Sequence, residues 1–158
     1  MNLISGIGKI RLKGKKELTK SKEIVSIPEP PVIYIPLIIG ASTNFEVHVK
    51  EGDKVSKGTK LATRKDMYVP IYSPVSGTVK GIEKRMHMSG KVQNHLIIEN
   101  DFKNEEIEPF AYENPDNLTP EELVGAIKEI GILGLGGSGF PTYVKYENAK
   151  NIDTVLIN

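Results

Sequence analysis

Between Val32 and Asn100 the apolar residues come in short runs broken by turn-forming residues. Val32-Ile33-Tyr34-Ile35 is apolar and β-branched. Phe45-Glu46-Val47-His48-Val49 alternates with the period of two that places every second side chain on one face of a strand. Glu51-Gly52-Asp53 and Lys57-Gly58 are turns, with Val55 and Leu61 at hairpin spacing. Ser73-Pro74-Val75-Ser76-Gly77 is a further turn, followed by Thr78-Val79 and Ile82, and His95-Leu96-Ile97-Ile98-Glu99 closes the set. Short strands at this spacing predict a small sandwich or barrel, not a parallel sheet.

The period changes after residue 118. Thr119 is placed as an N-cap, Pro120 at the first helical position, and Glu122 to complete a capping box. Leu118 and Leu123 are spaced for a hydrophobic staple. Leu123, Ile127 and Ile130 fall on one helical face, and Gly131 is the expected stop. The spacing predicts a helix over 120–130. A glycine-rich stretch follows, then a short helix from Pro141 and a buried-type strand at Thr154–Ile157. A helix, a glycine loop and one strand cannot build a sheet covered on both faces, so the chain reads as cut in the middle of a second domain. Pro28, Pro30 and Pro31 form a stiff joint, and the segment 101–118, with Pro109 and Pro115, reads as a linker. The expected organisation is an arm over 1–31, a β-rich domain over 32–100, a linker over 101–118 and the start of an α/β unit over 119–158, a mixed α and β class.

Composition narrows the function. A chain of 158 residues, 39% hydrophobic, is one ordinary domain or two small ones, and can bury roughly 70% of its unfolded surface. With 21 basic and 20 acidic residues the net charge is +1, which argues against a nucleic-acid footprint. Ten aromatics without a tryptophan make a poor platform for stacking bases. The absence of cysteine excludes a disulfide scaffold, a thiol nucleophile and any thiolate-held zinc or iron–sulfur centre within this chain. No run approaches the ~20 apolar residues of a membrane span. The longest, 31–41, is broken by Pro36 and Gly40. The N-terminus does not read as a signal peptide, and a soluble intracellular protein is expected. Charge is unevenly spread: residues 1–22 carry seven Lys/Arg and one Glu, and 99–122 carry nine Asp/Glu and one Lys. The basic arm suits an acidic partner, a membrane surface, plain solvent or the chain's own acidic segment.

Gly134-Leu135-Gly136-Gly137-Ser138-Gly139 has the letters G-x-G-x-x-G. A dinucleotide fingerprint needs a strand before the loop and an acid about 20 residues on. Here a helix precedes the loop and Asp153 is too near, so that reading is rejected. No lysine follows Gly139 directly, which rejects a P-loop. What survives is backbone freedom. Four glycines in six residues permit close approach and successive N–H groups that cradle an anion, with Lys145 available as a cation. The alternative is a glycine corner packing the helix on the strand. His48, His87 and His95 have no metal-ligand spacing, and Ser73, Ser76 and Ser138 lack the context of a nucleophile. Met67, Met86 and Met88 read as packing residues.

The turns around Val49–Gly58 and the Ser73-Pro-Val-Ser-Gly-Thr-Val79 hairpin resemble the barrel-sandwich hybrid of biotinyl and lipoyl carriers. Lys65, within Arg64-Lys-Asp-Met-Tyr68, lacks the sequence context of a modified lysine. Gly-Leu-Gly-Gly-Ser-Gly-Phe-Pro-Thr142, with Lys145 and Val-Leu-Ile-Asn158, resembles the start of the flavin/NADH domain of respiratory complex I and, more closely, the C subunit of the Rnf electron-transport complex (RnfC). That family also sets a barrel-sandwich hybrid before this domain, joined by an acidic segment and a capped helix. The order of parts agrees over 32–158.

The resemblance implies that 119–158 is the incomplete start of an α/β flavin/NADH-binding domain. It implies an edge of an FMN and NADH site at Gly134, Gly136, Gly137, Ser138, Gly139 and Phe140, with Lys145 near the flavin phosphate and Asn158 at the flavin. No catalytic or metal-ligating residue is implied in this chain. The [4Fe-4S] clusters of the family would lie in a downstream region. It further implies other subunits of a membrane electron-transport complex as partners, a peripheral place on the cytoplasmic side of the membrane, and no activity for this portion alone. Two departures stand out. The family's Gly-Gly-(Ile/Val)-His-Pro element is replaced by Ser5-Gly-Ile-Gly-Lys9, and the arginine of the complex I loop is missing near Leu135 and Gly136. Two other readings remain open: a docking or assembly module without redox activity, and a relative that feeds electrons to proline reductase.

Overall fold

Two antiparallel sheets account for the apolar runs. The computed structural model describes residues 15–108, 114–135, 139–147, 149 and 152–154. The first sheet holds β1 (Val32–Pro36), β3 (Lys54–Val55), β6 (Gly77–Met86) and β7 (Val92–Asn100) in the order β1-β7-β6-β3. The second holds β2 (Phe45–Val47), β4 (Lys60–Arg64) and β5 (Val69–Tyr72) in the order β2-β4-β5. Ile35, Val55, Leu61, Val75, Val79, Leu96 and Ile98 form the buried core, with Val47 and Ile71 packed against it. Both sheets contribute to that cluster, so each buries one face against the other, as a sandwich must. The expected barrel or sandwich over 32–100 is a mostly β unit with few helices.

The Ser-Pro-Val-Ser-Gly turn is fixed from inside. The Ser73 hydroxyl donates to the Val75 carbonyl at 2.7 Å, and the Ser76 hydroxyl donates to Asp101 at 2.6 Å. Both serines are buried, so these hydrogen bonds replace water that the site excludes. The segment expected as a linker is also held to the barrel. The Lys57 amide bonds the Glu105 carbonyl at 2.8 Å, the Ile107 amide bonds the Lys57 carbonyl at 3.1 Å, and the Lys57 ammonium pairs with Glu106.

α1 spans Pro120–Ile130. Its Thr119 side chain accepts from the Glu122 amide, the Glu122 carboxylate accepts from the Thr119 amide, and Gly131 ends it in the left-handed region at φ 76°. Thr119→Ala is expected to cost about 1 kcal/mol, read as a lower urea midpoint. An unchanged midpoint would show that tertiary contacts alone hold the helix. α2 is Thr142–Glu147, starting directly after Pro141. The expected apolar stripe of α1 is packed only at its middle, where Ile127 is half-buried. Ala126 is the buried residue, while Leu123 and Ile130 are 37% and 45% exposed. Among the described residues α1 lies on β5 and α2, which leaves Leu123 and Ile130 open. Of the strand expected over 154–157, Thr154 is in no strand and the rest lies outside the described residues.

Candidate functional site

The described flanks of the glycine-rich stretch pair with each other as a hairpin beside the barrel. The Gly134 amide bonds the Phe140 carbonyl at 2.9 Å, the Thr142 amide bonds the Ile132 carbonyl at 2.9 Å, and Leu133 bridges Pro141. These contacts draw 132–134 alongside 140–142 and turn the chain straight into α2. Leu135, near the turn, is fully exposed. Gly139 has φ 58°, and a Cβ there would sit 3.3 Å from Ile39 Cγ2, so a bare backbone lets the loop settle on the barrel. Of the residues expected to form the site, Gly134, Gly139 and Phe140 share this hairpin, and Lys145 lies exposed in α2. Gly136, Gly137, Ser138 and Asn158 lie outside the described residues.

The hairpin is aimed by α1, and α1 is pinned to β4 and β5. The Tyr72 hydroxyl donates to the Glu129 carbonyl, one of the end-of-helix carbonyls that lack a partner within the helix. Lys60 Nζ sits 2.9 Å from Glu129 Oε2 and 2.9 Å from the Tyr68 hydroxyl. These hydrogen bonds raise the Lys60 ammonium well above the usual lysine range. Burial pushes the Glu129 carboxyl up, but Lys60 and Tyr68 outweigh it and hold it below the usual range. Lys128 Nζ lies 4.8 Å from the Tyr143 ring centre and 3.4 Å from Glu147, tying α1 to α2. Beside this junction a cleft of about 570 Å³ is lined by Glu46, His48, Lys60, Thr63, Arg64 and Tyr68, among others. Its cations face carboxylates of the chain itself. Arg64 grips Asp66 through Nε at 2.9 Å and Nη2 at 2.7 Å, which, with a bond from Ser42, holds the Asp66 carboxyl far below the usual range. His48 Nε2 is 2.7 Å from the Thr63 hydroxyl. Lys65 lies in the turn between β4 and β5, 4.0 Å from Glu46.

Residues 5–103 match the family described as the RnfC barrel sandwich hybrid domain. The chain belongs to that RnfC family. It is 35% identical over 134 residues to the C subunit of the ion-translocating oxidoreductase complex of Serratia proteamaculans, an alignment covering 83% of this chain and 19% of that protein. It is 36% identical over 151 residues to the C subunit of the proton-translocating ferredoxin:NAD(+) oxidoreductase complex of Clostridium ljungdahlii, covering 90% and 32%. The corresponding ion-translocating complex protein of Haemophilus influenzae (strain PittEE) is 32% identical over 145 residues, covering 90% and 22%. The chain thus spans 19% to 32% of the length of these RnfC relatives. Among the described residues no helix is long and apolar enough to cross a membrane. Sequence reasoning does not find Lys60, Tyr72 and Glu129, because each meets its partner across 57 or 69 positions. Gly131 was expected as a helix stop. Its contact with Pro70 had no local signal.

Proposed function

We propose that this chain supplies the barrel-sandwich domain and the glycine-rich edge of an NADH/FMN site in an RnfC-type subunit. That subunit would pass electrons between NADH and the other subunits of an ion-translocating oxidoreductase complex, on the cytoplasmic side of the membrane. The division into a barrel over 32–100 and the start of a flavin domain over 119–158 belongs to this reading, as does the kinship with complex I. The observation that carries it is the glycine hairpin held at the barrel surface, with Gly139 seated on Ile39 and Gly134 bonded to Phe140.

The described residues fit an edge of such a site. They offer side-chain-free backbone and one exposed cation, Lys145, for a phosphate-bearing ligand. When bound, the flavin would accept a hydride from NADH and release electrons singly to iron–sulfur centres in a cysteine-containing region. This chain's own part is to place backbone against the ligand, offer Lys145 to a phosphate, and hold the hairpin still through Gly131, Tyr72 and Lys60. The 158-residue chain alone is expected to oxidise no NADH.

In the full-length subunit, Gly137→Val should abolish binding of FMN or NADH, measured by flavin retention and NADH titration. The barrel should stay folded by circular dichroism. Unchanged NADH oxidation would refute the site. Loss of neither ligand, with assembly into the complex impaired, would favour a docking module instead.

A further inference from the structure

We propose that the basic segment ahead of β1 is a docking element for an anionic lipid surface. Residues 15–27 carry four lysines, Lys15, Lys16, Lys20 and Lys22, against two acids, Glu17 and Glu23. A short turn at Lys16–Leu18 gathers them, with the Lys20 amide bonded to the Lys16 carbonyl at 2.9 Å. Directly after come Ile24, Val25 and Ile27, which with Leu18 are 103%, 77%, 88% and 77% exposed respectively. From Glu23 to Pro28 the chain makes no hydrogen bond among the described residues. The fold takes hold only at 29–31, where Asn100 bonds the Pro30 and Pro31 carbonyls at 3.2 and 2.9 Å.

Among the described residues no acid of the chain pairs with these lysines. Glu106 is taken by Lys57 and Glu99 by Lys80. An acidic protein face answers the lysines but not the apolar residues. Consecutive side chains of a non-helical chain diverge, so one flat face that buries Ile24 leaves Val25 in water. The boundary between headgroups and acyl chains receives both, while the lysine stems lie along it and their ammonium groups reach the phosphates. Each lysine near an anionic surface adds to the attraction, and salt screens it. The inference concerns residues 15–27 only and is independent of the cofactor reading.

The test is co-sedimentation of the 158-residue chain with phosphatidylcholine vesicles containing or lacking phosphatidylglycerol. Binding is expected only to the anionic vesicles, falling steeply with added salt. Replacing Lys15, Lys16, Lys20 and Lys22 together with Gln should weaken partitioning by roughly tenfold or more. Ile24→Ser with Ile27→Ser should weaken it several-fold at unchanged charge. Both variants should melt like the parent, since these residues lie outside the core. The proposal is overturned if the chain ignores anionic vesicles, or if the Gln variant binds as well as the parent. It is also overturned if the chain binds a purified acidic subunit of the complex through these lysines while leaving the vesicles unbound.

Discussion

Gly77→Val is expected to leave the barrel unable to hold its fold, with stability lowered by roughly 4 kcal/mol or more. A Cβ at Gly77 would lie 2.0 Å from the Glu99 carbonyl oxygen and 3.0 Å from its carbon. Those atoms belong to β7, which is hydrogen-bonded to β1 on one side and β6 on the other. Moving them aside would break ladders on both sides, and Leu96 and Ile98, almost wholly buried on the same strand, would move with them. A close-packed interior has no slack to absorb such a shift. With a whole-domain stability of only about 5–15 kcal/mol, a loss of this size leaves little folded protein at 37 °C. Urea unfolding followed by circular dichroism measures it. A midpoint equal to the parent's would mean that β6 and β7 do not approach this closely.

Some of this was legible in the sequence, and the reasons are local. The Ser-Pro-Val-Ser-Gly turn, the alternation at Phe45–Val47 and the capping box of α1 are signals carried by neighbouring positions, and the Ser73–Val75 and Thr119–Glu122 hydrogen bonds are as local as the signals. β5 was not legible because Pro70 argues against a strand. It is tolerated there because β5 is the outer strand of its sheet and needs no ladder bond on its free side. The far end of β6, Glu83–Met86, was hidden for another reason. It runs past the core with β7, after a register shift at Val79/Gly81, and most of its side chains face solvent. A strand wet on both faces carries no apolar alternation. Tyr34 and Arg85 stack there, the guanidinium 3.8 Å from the ring centre, a contact between strands that no spacing announces. At the candidate site the glycines marked the loop and the order of parts marked the family. The seat of Gly139 on Ile39 depends on a contact between segments about a hundred positions apart.

Gly131→Val is the change expected to separate the hairpin from its foundation. Gly131 has φ 76°, a conformation that costs an ordinary residue about 1–2 kcal/mol and a β-branched one more. A Cβ there would also stand 3.1 Å from the Pro70 carbonyl oxygen and 3.2 Å from Pro70 Cγ. β5 is held along its length by β4, so the barrel yields less than the helix end does, and the strain falls on α1. The expected loss is about 2–4 kcal/mol, concentrated in α1 and the hairpin. Amide exchange should rise at α1 residues and remain slow in β6 and β7. Gly131→Asn provides the comparison, since asparagine accepts the left-handed cap and leaves only the crowding at Pro70. It should fall between the parent and the valine variant. In the full-length subunit the same series should rank cofactor retention in that order, because the Tyr72 and Lys60 contacts to Glu129 hold the helix end from which the hairpin departs. If Gly131→Val loses stability but retains flavin and NADH fully, the ligands do not rest on this hairpin.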